Sequence, residues 1–192
     1  SAEDVVSAAE RIAGIALGTP LLASEALDQL AGATILIKPE CLQVTGSFKI
    51  RGATNNITQL TASRRRAGVV AFSSGNHAQG VARAAFLFGC PATIVMPGDA
   101  PRVKVDGVRR DGARIVFYDR ETESREEIAA EISRTSGAIL IPSYDDPDIV
   151  AGQGGETLGP TPKSRPSASI SQRQRRSICR PLLVLRSPPR AT

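Results

Sequence analysis

Lys49 stands in the run Thr45-Gly46-Ser47-Phe48-Lys49-Ile50-Arg51-Gly52-Ala53, just past a glycine turn. A helix is expected from about Phe48 to Leu60, with Ser47 as its N-cap. A lysine taken at random is a solvated surface residue. This one is placed differently: the N-terminal end of a helix disfavours a cation, and an amine of lowered pKa is what Schiff-base chemistry with a carbonyl compound requires. A second segment, Ser73-Ser74-Gly75-Asn76-His77-Ala78-Gln79-Gly80, follows directly on a strand expected at Val69 to Phe72. Strand, small polar loop and helix in that order leave the N–H groups of the first helical turn pointing outward. The helix dipole adds to their pull on a carboxylate or phosphate. Taken singly, Ser-Gly-Asn is an ordinary helix cap, and a lone histidine such as His77 is more often structural than catalytic.

These segments need a frame. From Gly68 onward, strand candidates at Val69 to Phe72, Ala92 to Met96, Arg114 to Tyr118 and Ala138 to Ile141 alternate with helices at about Asn76 to Phe88, Arg102 to Arg110 and Glu123 to Thr135. That alternation predicts an α/β fold with a parallel sheet wound by crossovers and flanked by helices. Ligands of such sheets bind beyond the carboxyl ends of the strands, where Ser73 to His77 fall. Upstream, apolar residues at Val5, Ala9, Ile12, Ile15 and Ala16 predict an amphipathic helix over Val5 to Leu17, stopped by Gly18-Thr19-Pro20. A shorter helical piece begins near Ser24, and the run Ala33 to Ile37 suits a strand buried on both faces.

Composition agrees with this frame: 41% of residues are apolar and only 4% aromatic, so the core relies on Ala, Val, Ile and Leu. No apolar span is long enough for a membrane helix, and Ser1-Ala2-Glu3-Asp4 is acidic where a secretory signal would be basic. A cytoplasmic protein is the expectation. Cys41, Cys90 and Cys179 are far apart and form no C-x-x-C pair, which predicts free thiols. The net charge of +5 is unevenly placed. Residues 160–192 hold eight Lys or Arg and no acid, leaving 16 basic against 19 acidic residues before them. Those last residues also carry six Pro and six Ser, and their one apolar run, Leu182 to Leu185, shows neither helix nor strand period. Two readings of the segment compete: a disordered basic tail that binds nucleic acid or anionic surfaces, or sequence never selected to fold, such as the product of a reading-frame shift. The abrupt switch of composition favours the second. Arg64-Arg65-Arg66 reads as a solvated turn before a strand. Asp145-Asp146-Pro147-Asp148 reads as a turn and helix start rather than a metal site.

The order K-P-E-x-L-Q-x-T-G-S-F-K-x-R-G-A at Lys38 to Ala53, followed by S-S-G-N-H-A-Q-G at Ser73 to Gly80, closely resembles the pyridoxal-phosphate serine/threonine dehydratases. That group includes threonine ammonia-lyases and serine racemases, and has the fold-type II, tryptophan synthase beta-like architecture. The resemblance extends through Gly18-Thr19-Pro20-Leu21, Ile94-Val95-Met96-Pro97 and Pro142 to Gly154, about 155 of the 192 residues. Members of the same fold that make cysteine or tryptophan differ around their lysine and asparagine loop.

The resemblance implies that pyridoxal 5'-phosphate is the cofactor, that Lys49 is its Schiff-base lysine and the base for the substrate α-proton, and that Phe48 packs beside the pyridine ring. Asn76 is implied as hydrogen-bond partner of the ring hydroxyl. Ser73, Ser74, Gly75, Asn76 and His77 are implied as the loop gripping the substrate carboxylate. In the racemases the residue matching Ser74 is the acid/base on the opposite ring face, which keeps amino-acid racemisation as an alternative activity. The implied reaction converts threonine- or serine-like β-hydroxy amino acids to 2-keto acids and ammonia. The implied layout puts residues 1–67 in a larger domain, 68–147 in a small α/β domain, 148–159 at the return to the larger one, and 160–192 in the basic tail. Homodimerisation is common among intact members; neither a nucleic-acid partner nor a membrane is expected. The family's glycine-rich phosphate loop and its partner for the pyridine nitrogen come from a later part of a longer chain, and Gly155 is not that loop. A truncated or frame-shifted homologue lacking tight cofactor binding is therefore the competing expectation.

Overall fold

The computed structural model describes residues 1–157 and 182–185 of the 192-residue chain. Its centre is a four-stranded sheet built from β3 (Val69–Phe72), β4 (Ala92–Pro97), β5 (Arg114–Tyr118) and β6 (Ile139–Leu140) in the order β5-β4-β3-β6. Every pairing is parallel, with Val69 opposite Ala92 and Ile139, and Thr93 opposite Arg114. The crossovers are α5 (Asn76–Leu87), α6 (Arg102–Arg110) and α7 (Arg125–Ser136). The expected α/β class and parallel sheet are thus present, with bounds that differ by a residue or two at several ends.

Successive strand residues point to opposite faces, and here both faces are covered. Val69 and Ala71 of β3, with Ile94 and Met96 of β4, pack under α5, α6 and α3 (Lys49–Thr58) in one core that includes Ile50, Ala53, Ile57, Val81 and Val108. Val70 and Val95 face the other way, onto Ala129 of α7, Tyr118 and Ala138. Two-sided burial explains why these strands read as continuous apolar runs. Gly68 enters β3 at φ 91, and a side chain there would lie 2.8 Å from the Pro91 carbonyl oxygen, so both the backbone angle and the space require glycine.

A second sheet lies apart from the first: β1 (Leu22–Ala23), β2 (Ile35–Lys38) and β7 (Leu182–Leu185), all antiparallel in the order β1-β2-β7. The apolar run at 182–185, expected to lack strand period, pairs with β2 from Ile35 opposite Leu185 to Lys38 opposite Leu182. Pairing rather than alternation makes it a strand, because an open edge of β2 offers unpaired N–H and C=O groups to any apolar segment that reaches it. The remaining expectations for residues 160–192, and for Cys179, lie outside the described residues. Cys41 and Cys90 are free thiols, as expected.

Other elements differ from expectation for local reasons. The first helix, α1, spans Ala2–Arg11 rather than Val5 to Leu17: Ser1 and Asp4 form a capping box that starts it early, and Gly14 at φ 79 turns the chain soon after its end. A short α2 (Glu25–Ala31) follows Ser24. Arg64, Arg65 and Arg66 lie within a six-residue helix, α4 (Ala62–Ala67), whose first turn is capped by the Thr61 hydroxyl, and not in a plain turn. Asp146 opens α8 (Pro147–Gly154) by accepting from the N–H groups of Asp148 and Ile149 at 2.9 and 3.0 Å, the helix start expected there. Among the described residues no helix is long and apolar enough to cross a membrane.

Candidate active site

Lys49 is the first residue of α3. Gly46 at φ 70 turns the chain into the helix, and Phe48 already has helical angles at the cap position. Ser47 therefore does not cap α3: its hydroxyl is buried with no hydrogen-bond partner among the described residues, as is that of Thr45. Two glycine contacts set the position of this helix. A side chain at Gly80 would meet the Lys49 carbonyl carbon at 3.0 Å, so the last residue of the Ser73 to Gly80 segment lets α5 lie against the backbone of Lys49. A side chain at Gly152 would meet the Arg51 carbonyl oxygen at 2.8 Å, so α8 crosses the same helix equally closely.

The Lys49 side chain is half-buried, and its Nζ donates to the Ser143 carbonyl oxygen at 2.6 Å. The ammonium lies 5.1 Å from the centre of the Phe48 ring. Burial holds the amine below the usual lysine range, opposed by the carboxylate of Glu156. Ser143 sits in the loop after β6, and that loop is held on several sides: the ring of His77 donates to the Ile141 carbonyl oxygen at 3.0 Å, and Asn56 donates to Asp146 at 3.1 Å. Gln153 of α8 donates to the Ser143 carbonyl oxygen at 3.3 Å. The first turn of α3 is in this way brought to the carboxyl ends of β3 and β6.

The segment Ser73 to His77 leaves β3 at the same end. Ser73 Oγ accepts from the N–H of Gly75 at 3.2 Å, and no side chain caps α5, so the N–H groups of Asn76, His77 and Ala78 remain without helical partners. A side chain at Gly75 would meet nothing within 4 Å, so the loop faces open space. Ser74 is half-buried in this loop and Asn76 is exposed. His77 is only 3% exposed, and burial lowers its pKa to about 4, with the hydrogen bond to Ile141 opposing and the charge of Lys49 reinforcing the shift. The neutral ring gives its Nε2 proton to a carbonyl, so Nδ1 carries a bare lone pair, buried and unpartnered among the described residues. What His77 can offer a carboxylate is its backbone N–H, not its ring.

One group had no role assigned from the sequence. Arg51, two residues after Lys49, donates through Nε and Nη2 to both carboxylate oxygens of Glu40, each at 2.8 Å, with Arg51 and Glu40 both buried. Thr19 Oγ1 donates to Glu40 at 2.5 Å, Lys38 Nζ to the Thr19 carbonyl at 2.7 Å, and Gln43 pairs with the backbone of Leu17 at 2.8 and 3.0 Å. Burial pushes the Glu40 carboxyl up, but hydrogen bonds from Arg51 and Thr19 more than offset it and leave the pKa below the ordinary value. The signal was readable: Lys38 closes a β-branched run, and a charge at the end of a buried strand needs a partner. Glu156 is half-buried nearby; burial, then Glu40, raises its carboxyl above the ordinary range.

An amine of lowered pKa next to an open loop lined by helix-terminal N–H groups can hold a carbonyl compound beside an anion. Comparison with known proteins agrees. The family model described as pyridoxal-phosphate dependent enzyme matches residues 12–158. The chain is 56% identical over 154 residues to an L-threo-3-hydroxyaspartate ammonia-lyase of a Pseudomonas species, covering 80% of this chain and 48% of that protein. It is 46% identical over 152 residues to the serine racemase of Schizosaccharomyces pombe, covering 79% and 47%. Among solved structures, maize serine racemase superposes with a TM-score of 0.79 at 40% identity over 82% of this chain and 48% of its own. The chain spans about half the length of the curated relatives it matches. It belongs to the pyridoxal-phosphate dependent enzymes, with the α/β architecture of fold-type II.

Proposed function

We propose that this chain carries the lysine-bearing part of the active site of a pyridoxal-phosphate-dependent ammonia-lyase acting on small β-hydroxy amino acids such as threonine, serine or 3-hydroxyaspartate. The observation that carries the reading is the half-buried Lys49 amine of lowered pKa, set where α5 opens with unpartnered N–H groups. The residues fit the cofactor: the buried, unpartnered hydroxyls of Thr45 and Ser47 and the Nδ1 of His77 are polar atoms awaiting a partner, and the loop at Gly75 faces open space. Phe48 would flank the ring, Asn76 would donate to its hydroxyl, and Lys49 would link to it. When bound, pyridoxal phosphate supplies a conjugated ring that spreads the negative charge left on the substrate α-carbon.

The chain's own groups do the rest. The N–H groups of Asn76 and His77, with the hydroxyls of Ser73 and Ser74, bind the substrate carboxylate and fix which bond of the α-carbon faces Lys49. The Lys49 Nζ takes the α-proton, and its burial favours the neutral amine that a base must be. Loss of the β-hydroxyl as water then leaves an enamine that takes up water to give a 2-keto acid and ammonia. The relatives named for hydroxyaspartate and threonine ammonia-lyases support this reaction class. Ser74 and the relatives named as serine racemases support racemisation as a second reading, in which the Ser74 hydroxyl returns a proton to the opposite face. The two separate sheets support a larger-domain part at residues 1–67 and a small unit at 68–147, and the packing of α8 on α3 supports a return to the larger domain from residue 148. The test supplies pyridoxal phosphate with each of the three amino acids and measures keto acid, ammonia and inverted amino acid. Release of ammonia and keto acid that is lost in Lys49→Ala supports the lyase. Inversion without release supports the racemase, and neither product overturns both.

A further inference from the structure

We propose that Lys104 is a positioning residue that holds the Asn76 side-chain amide with its nitrogen presented as a donor; the consequence for cofactor affinity rests on the reading of Asn76 as partner of the ring hydroxyl. An amide at the exposed start of a helix can turn over and present either oxygen or nitrogen. Here the Lys104 Nζ, reaching across from α6, donates to Asn76 Oδ1 at 2.6 Å and to Gln79 Oε1 at 2.9 Å. An ammonium only donates, so it accepts no orientation of Asn76 other than oxygen inward, and the amide nitrogen becomes the outward end.

The packing between α5 and α6 is built for this contact. Asn76 and Gln79 are three residues apart and share one face of α5; Lys104 and Gly107 have the same spacing on α6. A side chain at Gly107 would collide with the Gln79 amide, so the absence of one there is what lets Gln79 lie across α6 and turn its oxygen to Lys104. Two side-chain oxygens of α5 thus converge on one cation of α6. The link is made inside the unit that carries the loop, so it holds the amide before anything binds.

The test has two arms, both on the full chain. Without cofactor, the relaxation of the Asn76 side-chain NH₂ is measured by ¹⁵N NMR: an ordered amide in the unaltered protein, mobile in Lys104→Met and ordered again in Lys104→Arg, is the expected result. Equal order in Lys104→Met overturns the proposal. With cofactor, affinity is measured for pyridoxal phosphate and for its 3-deoxy analogue, which lacks the ring hydroxyl. Lys104→Met should weaken the first about tenfold, on the scale of one charge-assisted hydrogen bond, and the second less than about twofold. Equal weakening of both overturns the link to the hydroxyl. Should neither compound attach at Lys49, the cofactor reading fails, while the relaxation arm still decides what Lys104 does to Asn76.

Discussion

His77 makes folding depend on pH in a predictable way. Its pKa falls from 6.5 to about 4 because the ring is buried, and the ring proton at Nε2 is already committed to the Ile141 carbonyl oxygen. Above pH 6.5 both folded and unfolded chains hold the ring neutral. Below it the unfolded chain binds a proton that the folded chain refuses, so stability falls as pH drops through the window from about 6.5 to about 4. The full shift is worth about 3 kcal/mol. With a urea dependence of about 2 kcal/mol per molar, the unfolding midpoint should drop by about 1.5 M across the window on this account alone. The assay is urea unfolding followed by circular dichroism from pH 7 to 4, comparing the unaltered chain with His77→Asn, whose amide can still donate to Ile141 but does not titrate. The carboxyls of Asp111 and Glu156, raised by burial, contribute with the opposite sign, and as they are common to both proteins they cancel in the difference. The chain has a single histidine, so its Cε1 proton gives one NMR line whose midpoint reads the pKa directly. Equal pH slopes in the two proteins, or a line with its midpoint near 6.5, would refute the reasoning.

Glycine and charge substitutions test the frame around Lys49. Gly80→Ala should cost about 1–3 kcal/mol, because the added methyl meets the Lys49 backbone at 3.0 Å and one helix must move; unchanged stability by urea unfolding contradicts the close crossing. Glu40→Gln leaves the buried Arg51 guanidinium without its counter-charge and should cost about 3–5 kcal/mol, read as a lower unfolding midpoint, whereas a near-neutral result would show that Arg51 finds another partner. Lys49 should react with a small acylating reagent at lower pH than a lysine side chain in a short unstructured peptide does; a titration in the ordinary lysine range by mass spectrometry would show that burial does not lower it.

The parallel sheet was legible because β3 and β4 are buried on both faces and so appear as unbroken apolar runs, with crossover helices of ordinary length between them. The candidate site segments stood out for a different reason: the order of residues at Lys38 to Ala53 and at Ser73 to Gly80 together resembles a known family, while each segment alone reads as an ordinary helix start. What escaped depends on partners distant in sequence. Leu182 to Leu185 becomes a strand only by meeting β2, and no local period announces that. Ser47 has the side chain of a cap but not the geometry, since Phe48 already takes helical angles. The roles of Gly80 and Gly152 come from helices crossing against Lys49 and Arg51, a tertiary fact invisible in the local pattern. Lys104 fell only within the helix expected from Arg102 to Arg110, and its link to Asn76 joins residues 28 apart.

The central claim is that Lys49, among the four lysines of the chain, is the one built to hold pyridoxal phosphate. Lys38 is buried with its Nζ bonded to Thr19, and Lys104 is engaged with Asn76 and Gln79. The direct measurement is to incubate the full chain with pyridoxal phosphate, reduce with borohydride and locate the label by peptide mass spectrometry. The predicted result is a label on Lys49 at low cofactor excess, lost in Lys49→Ala with no compensating label elsewhere. A label spread over the other lysines and the amino terminus, and unchanged by Lys49→Ala, would contradict the account.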